Sequence, residues 1–498
     1  MGGGTEVEEL KAALAARDAE LTARDAELTA QKAALAERDA RIAELQEQLA
    51  KLAELETEVA KLRELLGRDS GNSNKPPSSD PPGKGGKAAK KKKKGKGRRR
   101  GGQKGHRGSH RSLLPPEQVD EVVDLYPPRC ESCWQSLPSV PDELARRYQF
   151  TELRPLAAHT TEYRRHAVVC PGCGYETRAA YDEAVIPRSA FGPRLMAVVA
   201  LLTGVYHLSR RQTVRLLWEL LGVKMSLGSV SAIEKRVSES VEPAVAEAWD
   251  EANKAAVKHT DGTSWLRAGV MLSLWTVATA AVTVFKILDN GKRETLKTLF
   301  VTFGGVLVSD RATALKFWVM KRRQICWAHL VRKFISFSQR DGPAGKIGKE
   351  LLELTAIVFD YWSQFRDARL TRSKLVERMA PVRRDVETLL ERAVDKDVPG
   401  LSGCCADILE HREALWTFVE RKDVEPTNNH AERELRGFVL WRRRSFGTQS
   451  ERGDRFAERM MTIAHTARKQ GRAVLDFLAA CCAPRPAGTA GPSLLAPA

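Results

Sequence analysis

The sequence predicts a multidomain chain of mixed α and α/β class. Three observations carry that prediction: a leucine heptad at the amino terminus, two matched Cys-x-x-Cys pairs, and a run of three strands, a helix and a fourth strand that ends on an aspartate. In chain order they give an N-terminal coiled coil over 1–66, a basic linker over 67–111, a small zinc-binding domain over 112–183 and a helical DNA-binding segment over 184–255. An α/β core follows over 256–339, resumes over 426–482 after a helical insertion at 340–425, and leaves a short tail at 483–498.

Bulk properties narrow the classes. The 498 residues are 42% apolar, enough for two or three cores, and the formal charge of +18 is unevenly placed. Thirteen Lys or Arg and no acid lie between Lys84 and Arg107, which leaves +5 for the rest. No apolar stretch approaches the roughly 20 residues of a membrane span. The amino terminus also lacks the order of a signal peptide. The expected setting is the cytoplasm and not a membrane.

Leu14, Leu21, Leu28, Leu35, Ile42 and Leu49 recur every seven residues with no proline to interrupt them, so 1–66 reads as a self-association helix, a homodimer or higher. The partner seam holds Asp18, Asp25, Lys32, Asp39 and Gln46, so the first half should pair weakly. The second half, from Ile42 to Leu66, should pair better. Residues 67–111 have too few apolar side chains to repay ordering. Lys90, Lys91, Lys92, Lys93, Lys94, Arg98, Arg99 and Arg100 there should bind phosphates without reading sequence.

Cys130, Cys133, Cys170 and Cys173 form a four-thiolate set suited to one structural Zn²⁺. Strands are expected between the pairs at 143–153 and 160–169. Ser209–Leu221 and Ser226–Ser238 read as helix, turn and helix, with Lys235 and Arg236 placed to meet DNA if the second helix is a reader, or as a plain helical brace if it is not.

The core opens with a strand-like run through Asp261, then Val270–Ala278, Val282–Leu288, a helix over Gly291–Phe300 and the short apolar run Val306–Ser309 that delivers Asp310. That order makes a mixed sheet of the ribonuclease-H-like kind, and Asp310 stands beyond a strand's carboxyl end, where such sheets bind ligands. Each acid also has a local reading. Asp261-Gly262 could be a hairpin turn, Asp310 a helix cap, and Glu432 the far half of a capping box. As a set, two aspartates and a glutamate in a basic chain suit a hard divalent cation used in phosphoryl transfer. Arg436, Arg442, Arg443 and Arg444, interleaved with Phe438, Trp441 and Phe446, suit DNA backbone and unpaired bases.

The motifs Asn72–Asp80, Gly101–His106, Cys326–Phe334 and Asn428–Arg433 together make the chain resemble the insertion-sequence-66 (TnpC-type) transposases over about residues 65–475. The resemblance implies a bacterial, nucleoid-associated DDE transposase that binds the element's inverted-repeat ends and target DNA and performs strand cleavage and transfer. It implies Asp261, Asp310 and Glu432 as catalytic residues holding two Mg²⁺, with Mn²⁺ as a substitute, and helper proteins of the same element as candidate partners. The Cys-x-x-His-x-x-Arg pattern falls on Cys326, His329 and Arg332, of which His329 and Arg332 are the candidates to meet the scissile phosphate. Two motifs depart from the family: Asp261 is followed by Gly262 in place of Glu, and Asp310 stands in Ser-Asp-Arg in place of Thr-Asp-Gly. Two competing functions share these features, a catalytically silent dimeric DNA-binding protein and a nuclease that cuts without joining.

Overall fold

The computed structural model describes residues 4–69, 71–73, 112–142, 144–153, 155–180, 189–486 and 488–495; the lysine-rich and arginine-rich stretch Lys90–Arg100 lies outside them. The chain divides into two compact units, Met1–Ala88 and Ala89–Ala498. The first is built on one helix, α1 (Gly4–Gly67), in which Thr22 and Thr29 return hydrogen bonds to the carbonyls of Asp18 and Asp25. Its heptad leucines are uncovered: Leu14 is 69% exposed and Leu49 69%.

The second unit begins with a segment that has little core of its own. Its regular structure among the described residues is one short turn, a hairpin of β1 (Ala167–Val169) and β2 (Glu176–Arg178), and an isolated bridge from Arg129 to Ser136. The expected strand at 143–153 does not form among them; Leu144, Tyr148, Phe150 and Leu153 instead stand exposed. Pairing is spent on the second Cys-x-x-Cys turn, which the hairpin brackets, so the strands flank a turn and do not bridge the two.

Four helices follow: α2 (Pro193–Gly204), α3 (Arg210–Leu221), α4 (Leu227–Ser240) and α5 (Glu242–Lys254). Proline enters α2 at its first turn, where an amide hydrogen would be unpaired anyway. Ser209 caps α3 with a reciprocal Gln212 bond, and Ser226 caps α4 through the Ser229 amide.

The sheet holds five strands: β3 (Val257–Arg267), β4 (Val270–Ala278), β5 (Thr283–Leu288), β6 (Val306–Ser309) and β7 (Arg323–Ile325). A short helix, α6 (Arg293–Leu299), crosses between β5 and β6; Asn290 and Gly291 precede it in the loop, so it starts later than the sequence pattern implied. Strand order is β5-β4-β3-β6-β7, with the first three antiparallel and β3, β6 and β7 parallel. One face packs on α2–α5 through residues such as Trp275, Val277, Val284 and Leu307. The other splits into two cores, one under Trp265, Leu274 and Phe285 and one under Val306, Val308 and Ile325.

The remaining helices are α7 (Trp327–Ser338), α8 (Gly342–Arg366), α9 (Arg372–Asp395), α10 (Ser402–Glu410), α11 (Arg412–Leu415), α12 (Thr417–Glu420), α13 (Asn429–Ser445), α14 (Glu451–Lys469) and α15 (Val474–Cys482). The stretch α8–α12 fills the core under β6 and β7. Both sheet edges are closed by side chains. On β5 the amides of Ile287, Phe285 and Thr283 donate to Glu458 (2.5 Å), Thr462 (3.3 Å) and Thr466 (3.0 Å), one residue per turn of α14. Helical i, i+4 spacing thus meets every second amide of an extended strand. On β7, Gln324 accepts from the Phe418 amide at 2.8 Å, and Thr417 donates to the Arg323 carbonyl at 2.6 Å.

Candidate active site

Asp261 sits in the middle of β3, paired opposite Thr276, and not in a turn. The β3–β4 turn falls later, at Ala268-Gly269. The hairpin reading of Asp261-Gly262 is therefore set aside. Gly262 has a packing reason instead, because a Cβ there would meet the Trp275 ring at 2.8 Å. That contact gives a physical account of the residue that follows Asp261 in this chain.

Asp310 follows β6. The parallel register pairs Val257 with Val306 and His259 with Val308, and two residues further it brings Asp310 beside Asp261 on one face of the sheet. Asp310 accepts from the Ala312 amide at 3.0 Å, closing a tight local turn; the short helical turn Thr313–Leu315 that follows is capped by Ala312, which makes no side-chain cap bond. Beneath it lies Arg323, fully buried on β7, which donates to the Asp310 carbonyl at 2.9 Å. Burial lowers that guanidinium to about 10, while Asp310 and Asp407 oppose the shift. Arg323 sits within an ordinary β-run and carries no motif signal, so nothing in the sequence singles it out.

Glu432 arrives on the first turn of α13. The N-cap is Asn428, and its side chain makes no capping bond, so no capping box engages Glu432. Asn428 is buried because it ties three elements together. Its side chain donates to the Thr260 carbonyl at 2.7 Å, and its backbone amide donates to Cys326 Sγ at 3.1 Å. Those two bonds fix the start of α13 to β3 and to the start of α7.

Asp261 feels the charge of both other acids, although the three carboxylates do not all lie within 4.8 Å of one another. Burial first, then the Asp310 and Glu432 carboxylates, push Asp261 up to about 8; the Gly262 amide and Arg332 pull the other way. Arg332 Nη2 and His329 Nδ1 each lie 3.6 Å from Glu432 Oε1. Burial and the adjacent Arg332 lower His329 from its ordinary value, against Glu432. Cys326, His329 and Glu432 form one cluster of possible metal donors among the described residues. Burial pushes Cys326 up to about 11, so it stays a thiol and packs as a core residue.

A family model described as Transposase IS66 family matches residues 188–455, more than half of the chain and the whole span that holds these acids. The chain belongs to the IS66 transposase family. Residues 13–112 match a second model, a family of unknown function (DUF6444), which covers most of α1. No curated protein matches the chain. Membership of the IS66 family makes this a transposase-type nucleic-acid enzyme. No helix among the described residues is long and apolar enough to cross a membrane.

Within this IS66-family chain the other acids near Glu432 are engaged elsewhere. Burial alone would raise Glu434, but bonds from His430 and His465 and the nearby Lys469 reverse that and hold it below the usual range. Glu451 pairs with Arg455 at 3.5 Å. Of the arginines after Glu432, Arg436, Arg443 and Arg444 are exposed, whereas Arg442 is turned inward onto the Ser264 and Thr263 hydroxyls. Lys235 is exposed, and Arg236 lies near Cys482 on the carboxyl end of α15.

The two Cys-x-x-Cys turns have one geometry. Trp134 and Gly174 donate to the carbonyls of Cys130 and Cys170, and each of those cysteines donates back to the residue five positions on, Gln135 and Tyr175. Within each pair the thiols are close, and amides of the turn lower Cys130 and Cys170 from the ordinary value, as does the second thiol. No three of the four sulfurs lie within 4.8 Å of one another, so the pairs stand as two half-sites.

Proposed function

We propose that the chain cuts and joins DNA by metal-dependent phosphoryl transfer on a ribonuclease-H-like core, with Asp261, Asp310 and Glu432 as the catalytic carboxylates. The observation that carries this reading is the position of Asp261, an acid held up to about 8 between burial and two other carboxylates drawn from 49 and 171 residues away in sequence. Acids in that arrangement repel one another, and a hard divalent cation with oxygen ligands removes the repulsion. Asp261, Asp310 and Glu432 would hold Mg²⁺, two ions in all, or Mn²⁺ in its place, because hard cations take oxygen ligands. When bound, such ions activate an attacking oxygen and neutralise a leaving one.

The chain's own residues supply the rest. Arg323 and Asn428 hold the strand and helix that present Asp310 and Glu432. Arg332 and His329 lie beside Glu432 and meet the phosphate's remaining charge. Arg436 and Arg443 lie on the Glu432 face of α13 at helical spacing and continue the cationic track. The linker residues Lys90–Lys94 and Arg98–Arg100 contribute phosphate contacts that position without reading sequence. Cys130, Cys133, Cys170 and Cys173 would hold one structural Zn²⁺, which would tie the two half-sites together. A segment with this many exposed apolar side chains and little core needs such a staple. The α1 helix pairs with a second copy through its uncovered leucines.

The test is incubation of purified chain with labelled ends of its element and Mg²⁺, with nicked and joined products resolved by size. Asp261→Asn, Asp310→Asn and Glu432→Gln should each remove both products and keep DNA binding. Normal cleavage by Glu432→Gln would refute the assignment of the third acid.

A further inference from the structure

A second site lies at the far end of α13. Between the amino end of α3, the middle of α4 and the turn from α13 to α14 opens a cavity of about 810 Å³, lined among others by Arg210, Lys235, Arg444 and Arg452. Residues from three separate parts of the sequence converge there. Arg210 is cancelled by Glu234, which accepts from it at 2.6 and 3.0 Å. Arg452 is held at the wall by Ser231 Oγ at 2.8 Å. Lys235 has Glu239 only at 3.9 Å with both side chains well exposed, and Arg444 makes no hydrogen bond or ion pair among the described residues. A net positive charge of three cations therefore faces one opening.

The floor is flat and fixed. Trp441 stacks on His207 at 4.6 Å and 20°, and burial with Arg444 nearby lowers His207 to about 4, so it adds no charge near neutral pH. The walls do not drift apart, because Arg459 of α14 donates to the Ser238 carbonyl of α4 at 3.1 Å and pairs with Glu242. This size suits more than a bare ion; it accommodates a phosphate with its sugar and base.

We infer that this cavity binds a phosphodiester of the DNA strand leading to the cut, and so couples the α3–α4 helix pair to the helix that carries Glu432. The inference rests on the reading of the carboxylate site as the place of strand cleavage. Glu432 and Arg444 are twelve residues apart on α13, a rise of about 18 Å along the axis. At 3.4 Å per step of one strand, the bound phosphate lies about five base pairs from the cleaved one.

The probe is a duplex bearing the terminal sequence that flanks the gene, with one methylphosphonate linkage moved step by step away from the cut. With the wild-type chain, a neutral linkage about five steps from the cut should weaken binding severalfold. With Lys235→Ala or Arg444→Ala the same linkage should cost little further, and each variant should lower the log–log salt slope by about 0.9. A scan in which every linkage affects variant and wild type alike overturns the inference, and intact cleavage of the unmodified duplex then leaves the carboxylate reading standing. Competition by inorganic pyrophosphate without any scan signal would make this a free-phosphate site and also overturn it. A wild-type chain that binds no end sequence overturns both.

Discussion

Asp261 behaves unlike an isolated surface acid, and its surroundings make two residue-scale predictions. In the metal-free folded chain it keeps its proton up to about 8, whereas an unfolded Asp releases it near ~3.9. Between those values the folded state binds more protons, so this residue's contribution to stability falls as pH rises. Relative to wild type, Asp261→Asn should gain in Tm from about pH 4 to about pH 8. Mg²⁺ should raise the Tm of the wild type and do less for the variant. Parallel melting curves at every pH would count against the clustered acids. The second prediction concerns Gly262, where a Cβ would lie 2.8 Å from the Trp275 ring. Gly262→Ala should cost about 1–3 kcal/mol by overpacking, read by urea denaturation, and Gly262→Glu more. A neutral result would remove the packing account of this position.

At the scale of elements, the seam between α14 and β5 is the clearest place to test what holds the sheet. Thr462 and Thr466 accept from the Phe285 and Thr283 amides. Valine at either position keeps the shape and orphans a buried amide, a loss of about 1–3 kcal/mol. Urea denaturation of Thr462→Val and Thr466→Val checks it, and losses below about 0.5 kcal/mol would show that water replaces the threonine. None of this seam is legible in the sequence, since a threonine facing a strand edge carries the same pattern as one facing solvent. The strands themselves are legible where β-branched, aromatic and other apolar residues run together: Val306–Ser309 is buried throughout and Val270–Ala278 over most of its length. The span 144–153 has, among the described residues, no partner strand and no core to cover Leu144, Tyr148, Phe150 and Leu153, so the strand expected at 143–153 does not form there. Asp261, Asp310 and Glu432 can be picked out because spaced motifs surround them; Arg323 and the Lys235–Arg444 cavity cannot, because long-range packing alone brings their parts together.

For the molecule as a whole, α1 spans 64 residues and leaves its leucines bare. That is about 96 Å of helix with an apolar seam. Deleting residues 1–66 should convert a self-associating chain into a monomer in sedimentation equilibrium, with the melting of the catalytic unit unchanged. A full-length chain that is already monomeric at micromolar concentration would refute the seam's role. The sheet, by contrast, offers nothing to a second copy while its edges are shut by Glu458, Thr462 and Thr466 on one side and by Gln324 and Thr417 on the other. If α14 peels away, three consecutive outward amides of β5 are bared at once, and the enzyme presents a template for strand addition. Heat-induced precipitation should therefore begin with the loss of this one helix.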